Sequence, residues 1–186
     1  MATVKVRLLA EQDWQEYRDI RLRSLQESPA AFPATHAEEL DRPDSSWQEC
    51  MTRVERLLAV RDGQPQGVVS LDRGAPEDST GDIQDLWVAP ECRSTGVAWR
   101  LVEAATKRAA ELGLRKVTYW VSTENGRAVA FATNFGFRPT SMRRTVQAAS
   151  EEFGDQEIAL VMTLSHDSAS APNPTAPRIV SGPGPQ

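Results

Sequence analysis

The stretch Val88-Ala89-Pro90-Glu91-Cys92-Arg93-Ser94-Thr95-Gly96-Val97-Ala98 joins a run of strand-like residues to a helical pattern through a short polar loop. A junction of this kind suits an anion. Amides of the loop and of the first helical turn have no partner inside the helix, and the aligned peptide dipoles place partial positive charge at the same end. Gly96 carries no Cβ to hold a phosphate away. No Lys-Ser or Lys-Thr follows that glycine, so the loop is not a nucleotide P-loop, and two of the three glycines of a dinucleotide fingerprint are missing. A pyrophosphate held by main chain fits this junction, and so does a plain loop leading into a buried helix; the spacing alone does not choose between them.

Further on, Asn125-x-x-Ala128 opens a second helical pattern that closes on Phe135-Gly136-Phe137. Val-x-Pro-x-x-Arg-x-x-Gly-x-Ala after a strand, followed in order by this Asn and this Gly-Phe, resembles the GNAT N-acetyltransferases. Their acetyl-CoA loop usually reads Gln/Arg-x-x-Gly-x-Gly/Ala, positions filled here by Arg93, Gly96 and Ala98. In element order the resemblance extends over 4–164; it is most specific between Asp82 and Phe137. It implies acetyl-CoA as co-substrate, with the main chain of Leu86, Trp87 and Val88 beside the pantetheine arm. The amides of Arg93, Ser94, Thr95, Gly96, Val97 and Ala98 would hold the pyrophosphate, with Trp99 at its edge and Asn125 hydrogen-bonded to the cofactor.

The implied reaction is attack of a neutral primary amine on the thioester, which needs a base for the ammonium proton and an acid for the departing thiolate. Many members of the family carry a Tyr just after the position of Phe131; here that residue is Ala132. Some protein N-terminal acetyltransferases carry a Glu on the fifth strand, where this chain has Trp120. Asp85 is the remaining candidate base, acting directly or through water, with Gln84 and Ser122 as polar neighbours; the other reading is a solvated or ion-paired carboxylate beside the strand. Phe32, Trp47 and Trp87 either line an amine pocket or pack in the core. His36 and His166 have no spaced partners, and Cys50 and Cys92 form neither a CxxC pair nor part of a His cluster, so no metal and no disulfide is expected. A small-molecule amine is the expected acceptor. The alternatives are a protein lysine or N-terminal amine, or a module that binds acyl-CoA without turnover.

These residues need a scaffold. Lys5-Val6-Arg7-Leu8-Leu9 reads as a first strand, and Asp13 with Glu16 marks the start of a helix from about Asp13 to Gln26. Two short helices are expected over 34–40 and 46–54, separated by Arg42-Pro43-Asp44. Strands over 56–61 and 67–71 flank Asp62-Gly63 as a hairpin, and 83–89 reads as a central strand. Ala98, Leu101, Val102, Ala105, Ala109 and Leu112 recur at helical spacing before Gly113. A strand over 116–121, a helix capped by Asn125 and two closing strands over 138–146 and 157–164 complete the order. The fold class is α/β (α+β): a central mixed, mostly antiparallel sheet flanked by helices.

With 186 residues, 40% of them hydrophobic, the chain suits one domain, expected over 1–164, before a Pro/Ser/Ala/Gly-rich tail over 165–186 expected to be disordered. A formal charge of −5 argues against nucleic acid as a partner and is compatible with a cationic substrate. No apolar run is long enough to span a membrane and no secretory pattern opens the sequence, so a cytoplasmic location is expected. A homodimer through the closing strands is the remaining partner expectation.

Overall fold

The computed structural model describes residues 3–75, 77–145 and 156–164. The tail read for 165–186, His166 within it, Val146 at the end of the expected sixth strand and the connection to the last strand over 146–155 lie outside the described residues.

Seven strands form one sheet: β1 (Lys5–Leu8), β2 (Glu55–Arg61), β3 (Gln64–Asp72), β4 (Thr80–Val88), β5 (Lys116–Ser122), β6 (Arg138–Thr145) and β7 (Gln156–Thr163). Their spatial order is β1-β2-β3-β4-β5-β7-β6, and every neighbouring pair is antiparallel except β4–β5, which is parallel. The helices are α1 (Trp14–Glu27), α2 (His36–Leu40), α3 (Asp44–Arg53), α4 (Val97–Glu111) and α5 (Gly126–Phe135). The expected class and order of elements are therefore the observed ones. Asp62 and Gly63 both take positive φ, 52° and 75°, as a two-residue hairpin joining β2 to β3 requires.

The helices lie on both faces of the sheet. On β4, Trp87 points to α1, where its indole N–H donates to the Ser28 hydroxyl at 3.0 Å. One rung further, Gly67 of β3 faces α4: a Cβ there would stand 3.1 Å from Leu101 and 2.6 Å from the Trp87 carbonyl. Any side chain at Gly67 would push helix and strand apart. From α4, Val97, Leu101, Val102, Ala105 and Ala109 are buried, following the helical spacing of the sequence, while Ala98 and Leu112 are half-buried. Truncating fully buried Leu101 to Ala should cost about 2–5 kcal/mol. On α1 the inward face is Tyr17, Ile20, Arg21, Ser24 and Leu25, which places an arginine among apolar neighbours.

Two irregularities shape the middle of the sheet. β4 pairs with β5 only from Thr80–Lys116 to Ile83–Tyr119; beyond that rung β4 stays with β3 and β5 stays with β7, so the two central strands part. Just there the β3–β4 register shifts, with Ser70 opposite Gln84 but Val68 opposite Trp87. Val69 is thus left facing two residues, Asp85 and Leu86, in a β-bulge.

Candidate active site

The loop after β4 is built from nested turns. The Ala89 amide donates to Gln66 O at 2.9 Å, the Cys92 amide to Ala89 O at 2.8 Å and the Arg93 amide to Pro90 O at 3.3 Å. Ser94 and Gly96 then take left-handed conformations, with φ of 62° and 87°. The first helical bond of α4 runs from the Arg100 amide to Gly96 O at 3.1 Å. The amides of Val97, Ala98 and Trp99 therefore have no main-chain acceptor among the described residues. The dipole of a 15-residue helix adds to their positive end. A Cβ on Gly96 would meet nothing within 4 Å, so the space beside this glycine is open.

Of the residues read as a pyrophosphate loop, Arg93 differs from the rest. Its amide is engaged with Pro90, and its guanidinium turns back, Nε to Val88 O at 3.1 Å and Nη2 to the Ser28 hydroxyl at 2.9 Å. Arg93 braces the loop against β4 and the end of α1. Thr95 Oγ1 donates to Cys92 O at 2.6 Å, a further internal tie. Trp99 is 42% exposed and leans on Phe135, with ring centroids 4.6 Å apart, and on Phe131 at 6.5 Å. These contacts bind the start of α4 to α5. Asn125 caps α5 as expected, Oδ1 accepting from the Ala128 amide at 3.1 Å; its side-chain NH2 has no partner among the described residues.

Asp85 sits in a charge network, the ion-paired alternative of the sequence reading, whose partners the sequence did not give. Asp85, φ 51°, accepts from Arg21 Nη1 at 3.2 Å, from Arg56 Nη1 at 3.5 Å and from the Ser70 hydroxyl at 3.5 Å. Arg56 also donates to Ser70, and Arg21 pairs with Glu39 of α2 at 3.2 Å. The only local signal was Arg21 itself, four residues after Tyr17 on the apolar face of α1. Of the two neighbours read for Asp85, Gln84 is half-buried opposite Ser70, and the Ser122 hydroxyl accepts from the Glu124 amide at 3.3 Å.

Phe32, Trp47 and Trp87 belong to the core, with 6%, 0% and 3% exposure. Each ring already carries a guanidinium of the chain, Arg21 over Phe32 at 4.5 Å, Arg42 over Trp47 at 4.7 Å and Arg23 over Trp87 at 5.6 Å. None is left to receive a substrate cation. Trp120 is likewise covered by Arg144 at 4.5 Å. Tyr119 stands on the last β4–β5 rung, edge-on to Phe137, and burial pushes its phenol up to about 12. Tyr17 is also raised to about 12, chiefly by burial, with Arg56 opposing. Ala132, at the position where the family's Tyr was expected, is fully buried. Burial raises the Cys50 thiol, and both cysteines are free. Among the described residues no group of His, Cys, Asp and Glu is placed to hold a metal, and no helix is long and apolar enough to cross a membrane.

A model of the acetyltransferase (GNAT) family matches residues 14–137, more than half of the chain. The chain belongs to the GNAT acetyltransferase family. The uncharacterized N-acetyltransferase MJ1207 of Methanocaldococcus jannaschii is 30% identical over 79 residues, 40% of this chain and 35% of its own length. The match therefore covers about a third of that relative. The yncA protein of Salmonella typhimurium, solved with its cofactor acetyl-CoA, superposes with a TM-score of 0.66 at 15% identity, covering 93% of this chain and 99% of its own. Spermidine N-acetyltransferase SpeG from Vibrio cholerae does so with 0.66 at 16% identity, covering 87% and 94%. These two likenesses establish the GNAT fold. The parted β4 and β5, the loop after β4 and the helix it opens all fall within the segment that the family model matches.

Proposed function

We propose that the chain transfers an acetyl group from acetyl-CoA to the primary amine of a small molecule. One observation carries the reading: the strands part beside a helix start with unpaired amides and open space at Gly96. An extended arm fits the opening, and a pyrophosphate fits the helix start. Under this reading the amides from Ser94 to Ala98 hold the pyrophosphate, Trp99 borders it, and the free amide of Asn125 donates to the cofactor. The main chain of Leu86, Trp87 and Val88 lines the pantetheine. Arg93 contributes by fixing the loop. The spermidine enzyme of like fold acts on a small amine, and the net charge of −5 favours a cationic acceptor.

In the reaction, the amine nitrogen forms a bond to the thioester carbon, the C–S bond breaks and the thiolate leaves. Both oxygens of Asp85 are engaged by cationic donors or a hydroxyl, so water at the strand opening takes the ammonium proton. No phenol stands in for the missing family Tyr. An acid works best with a pKa near the operating pH, and Tyr119 at about 12 lies well above a thiol's ~8.5, so the thiolate is protonated by solvent.

The test is calorimetric titration with acetyl-CoA, followed by thiol release against polyamines, amino acids, lysine peptides and peptides with free N-termini. Micromolar binding with release on small amines supports the reading. Release on peptides alone moves the acceptor to protein, binding without release leaves a sensor module, and absence of binding removes the cofactor site.

A further inference from the structure

We propose that Asp85 is a positioning residue: clamped by Arg21 and Arg56, it holds β4 in the bulge that opens the cofactor cleft, and it ties that opening to the first two helices, α1 and α2. The inference rests on the cofactor reading above and assigns this carboxylate a role other than base.

The backbone supplies the first reason. A φ of 51° is uncommon for a residue with a side chain; Asp is among the few that tolerate it, at a modest cost that the surroundings must meet, whereas a residue such as Ala bears the full cost. Asp85 is the first of the two residues facing Val69, so relaxing it to extended geometry removes the extra residue from the bulge. Because side chains alternate along a strand, a one-residue slip would turn Trp87 away from Ser28. It would also change the course of β4 where it leaves β5.

The side chain supplies the second. Its two oxygens are held by guanidiniums that cannot follow it, since Arg21 and Arg56 are each 7% exposed. Arg21 is sandwiched by the Phe32 ring at 4.5 Å and Glu39, and Arg56 by the Tyr17 ring at 4.5 Å and Ser70. Withdrawing the carboxylate would leave Arg56 with no acidic partner among the described residues, and an uncompensated buried cation is costly. The strain at Asp85 is thus offset by pairing on three other elements: α1 through Arg21, β2 through Arg56 and β3 through Ser70. Glu39 extends the network to α2, where it also meets Arg42 at 3.2 Å. The segment between α1 and α2, with Phe32, is thereby registered to the cofactor strand.

The experiment compares Asp85→Gly, Asp85→Ala and Asp85→Asn in the full chain. Gly and Ala both lack the carboxylate, but only Gly takes the left-handed conformation freely, so the Ala variant should populate the open bulge less. Since apparent affinity scales with the competent fraction, Ala should bind acetyl-CoA about 5- to 30-fold more weakly than Gly. The Ala variant should also melt below the Gly variant without cofactor, a comparison that stands even if the wild type proves not to bind acetyl-CoA. Asn tolerates the backbone and still offers an acceptor, so its KM for acetyl-CoA should rise while the shape of the pH–rate profile stays that of the wild type. Equal affinity and equal melting of the Gly and Ala variants overturn the clamp. A 10²- to 10⁴-fold fall in kcat for Asn with an altered acid limb overturns it in favour of a base. Failure of the wild type to bind acetyl-CoA counts against the cofactor reading alone.

Discussion

Replacing Gly96 by Asn and by Asp separates folding from anion binding more cleanly than any other change in this chain. Both side chains have nearly the same shape and both tolerate the left-handed region, so φ 87° is no great obstacle to either. A Cβ at this position meets nothing within 4 Å, so neither variant introduces a clash at its first side-chain atom. Their melting temperatures should agree within about 4 °C, the shift that roughly 1 kcal/mol produces in a domain of this size. They differ by one negative charge beside three unpaired amides. Against a phosphate charge about 5 Å away, that difference is about 1–3 kcal/mol for an effective dielectric between that of water and ~20. Acetyl-CoA should therefore bind the Asp variant about 5- to 150-fold more weakly than the Asn variant, and the gap should narrow at high salt. Titration calorimetry at low and high ionic strength, with melting curves taken without cofactor, measures both quantities. Equal affinities at low salt would refute the pyrophosphate assignment, whatever the stability of the variants.

Asn125→Asp keeps a cap for Ala128 but removes the side-chain NH2, so it should melt like the wild type while binding acetyl-CoA less tightly; Asn125→Ala should in addition lose about 0.5–2 kcal/mol of stability, read by denaturant unfolding. Tyr119→Phe should leave kcat within about threefold, because a phenol raised to about 12 is mismatched to a thiolate; a drop of 10² or more would make it the acid. Burial pushes the Asp82 carboxyl above its ordinary value, with Arg144 opposing and Asp72 adding to the rise. A folded-state carboxyl above its unfolded value binds more protons folded than unfolded, so it detracts from stability as pH rises through that interval. Asp82→Asn should accordingly raise the melting temperature at pH 7, with the gain fading as pH falls toward ~4, and an equal gain at both pH values would refute the sign.

The sequence determined what depends on near neighbours. The spacing of Leu101, Val102, Ala105 and Ala109 fixed which face of α4 is buried, Asn125 fixed the start of α5, and Asp62-Gly63 fixed the hairpin. The loop from Arg93 to Ala98 was legible as the junction of β4 and α4 for the same reason: a turn into a helix start is made of consecutive residues. What the tertiary structure decided lies between residues far apart in the chain. Nothing near Asp85 in sequence announces Arg21 or Arg56, 64 and 29 positions away, because those pairs exist only once α1, β2 and β4 are docked in register. Likewise the Arg93 guanidinium, which fills a family position, meets Ser28 65 positions earlier and turns into a brace. Phe32, Trp47 and Trp87 looked equally suited to a pocket or to a core, since an aromatic ring carries the same local pattern in either place. Burial and the arginines stacked on them decided the matter. The bulge is the sharpest case: one extra residue opposite Val69 reorients a strand, and its cost is met by charges that no local spacing can predict.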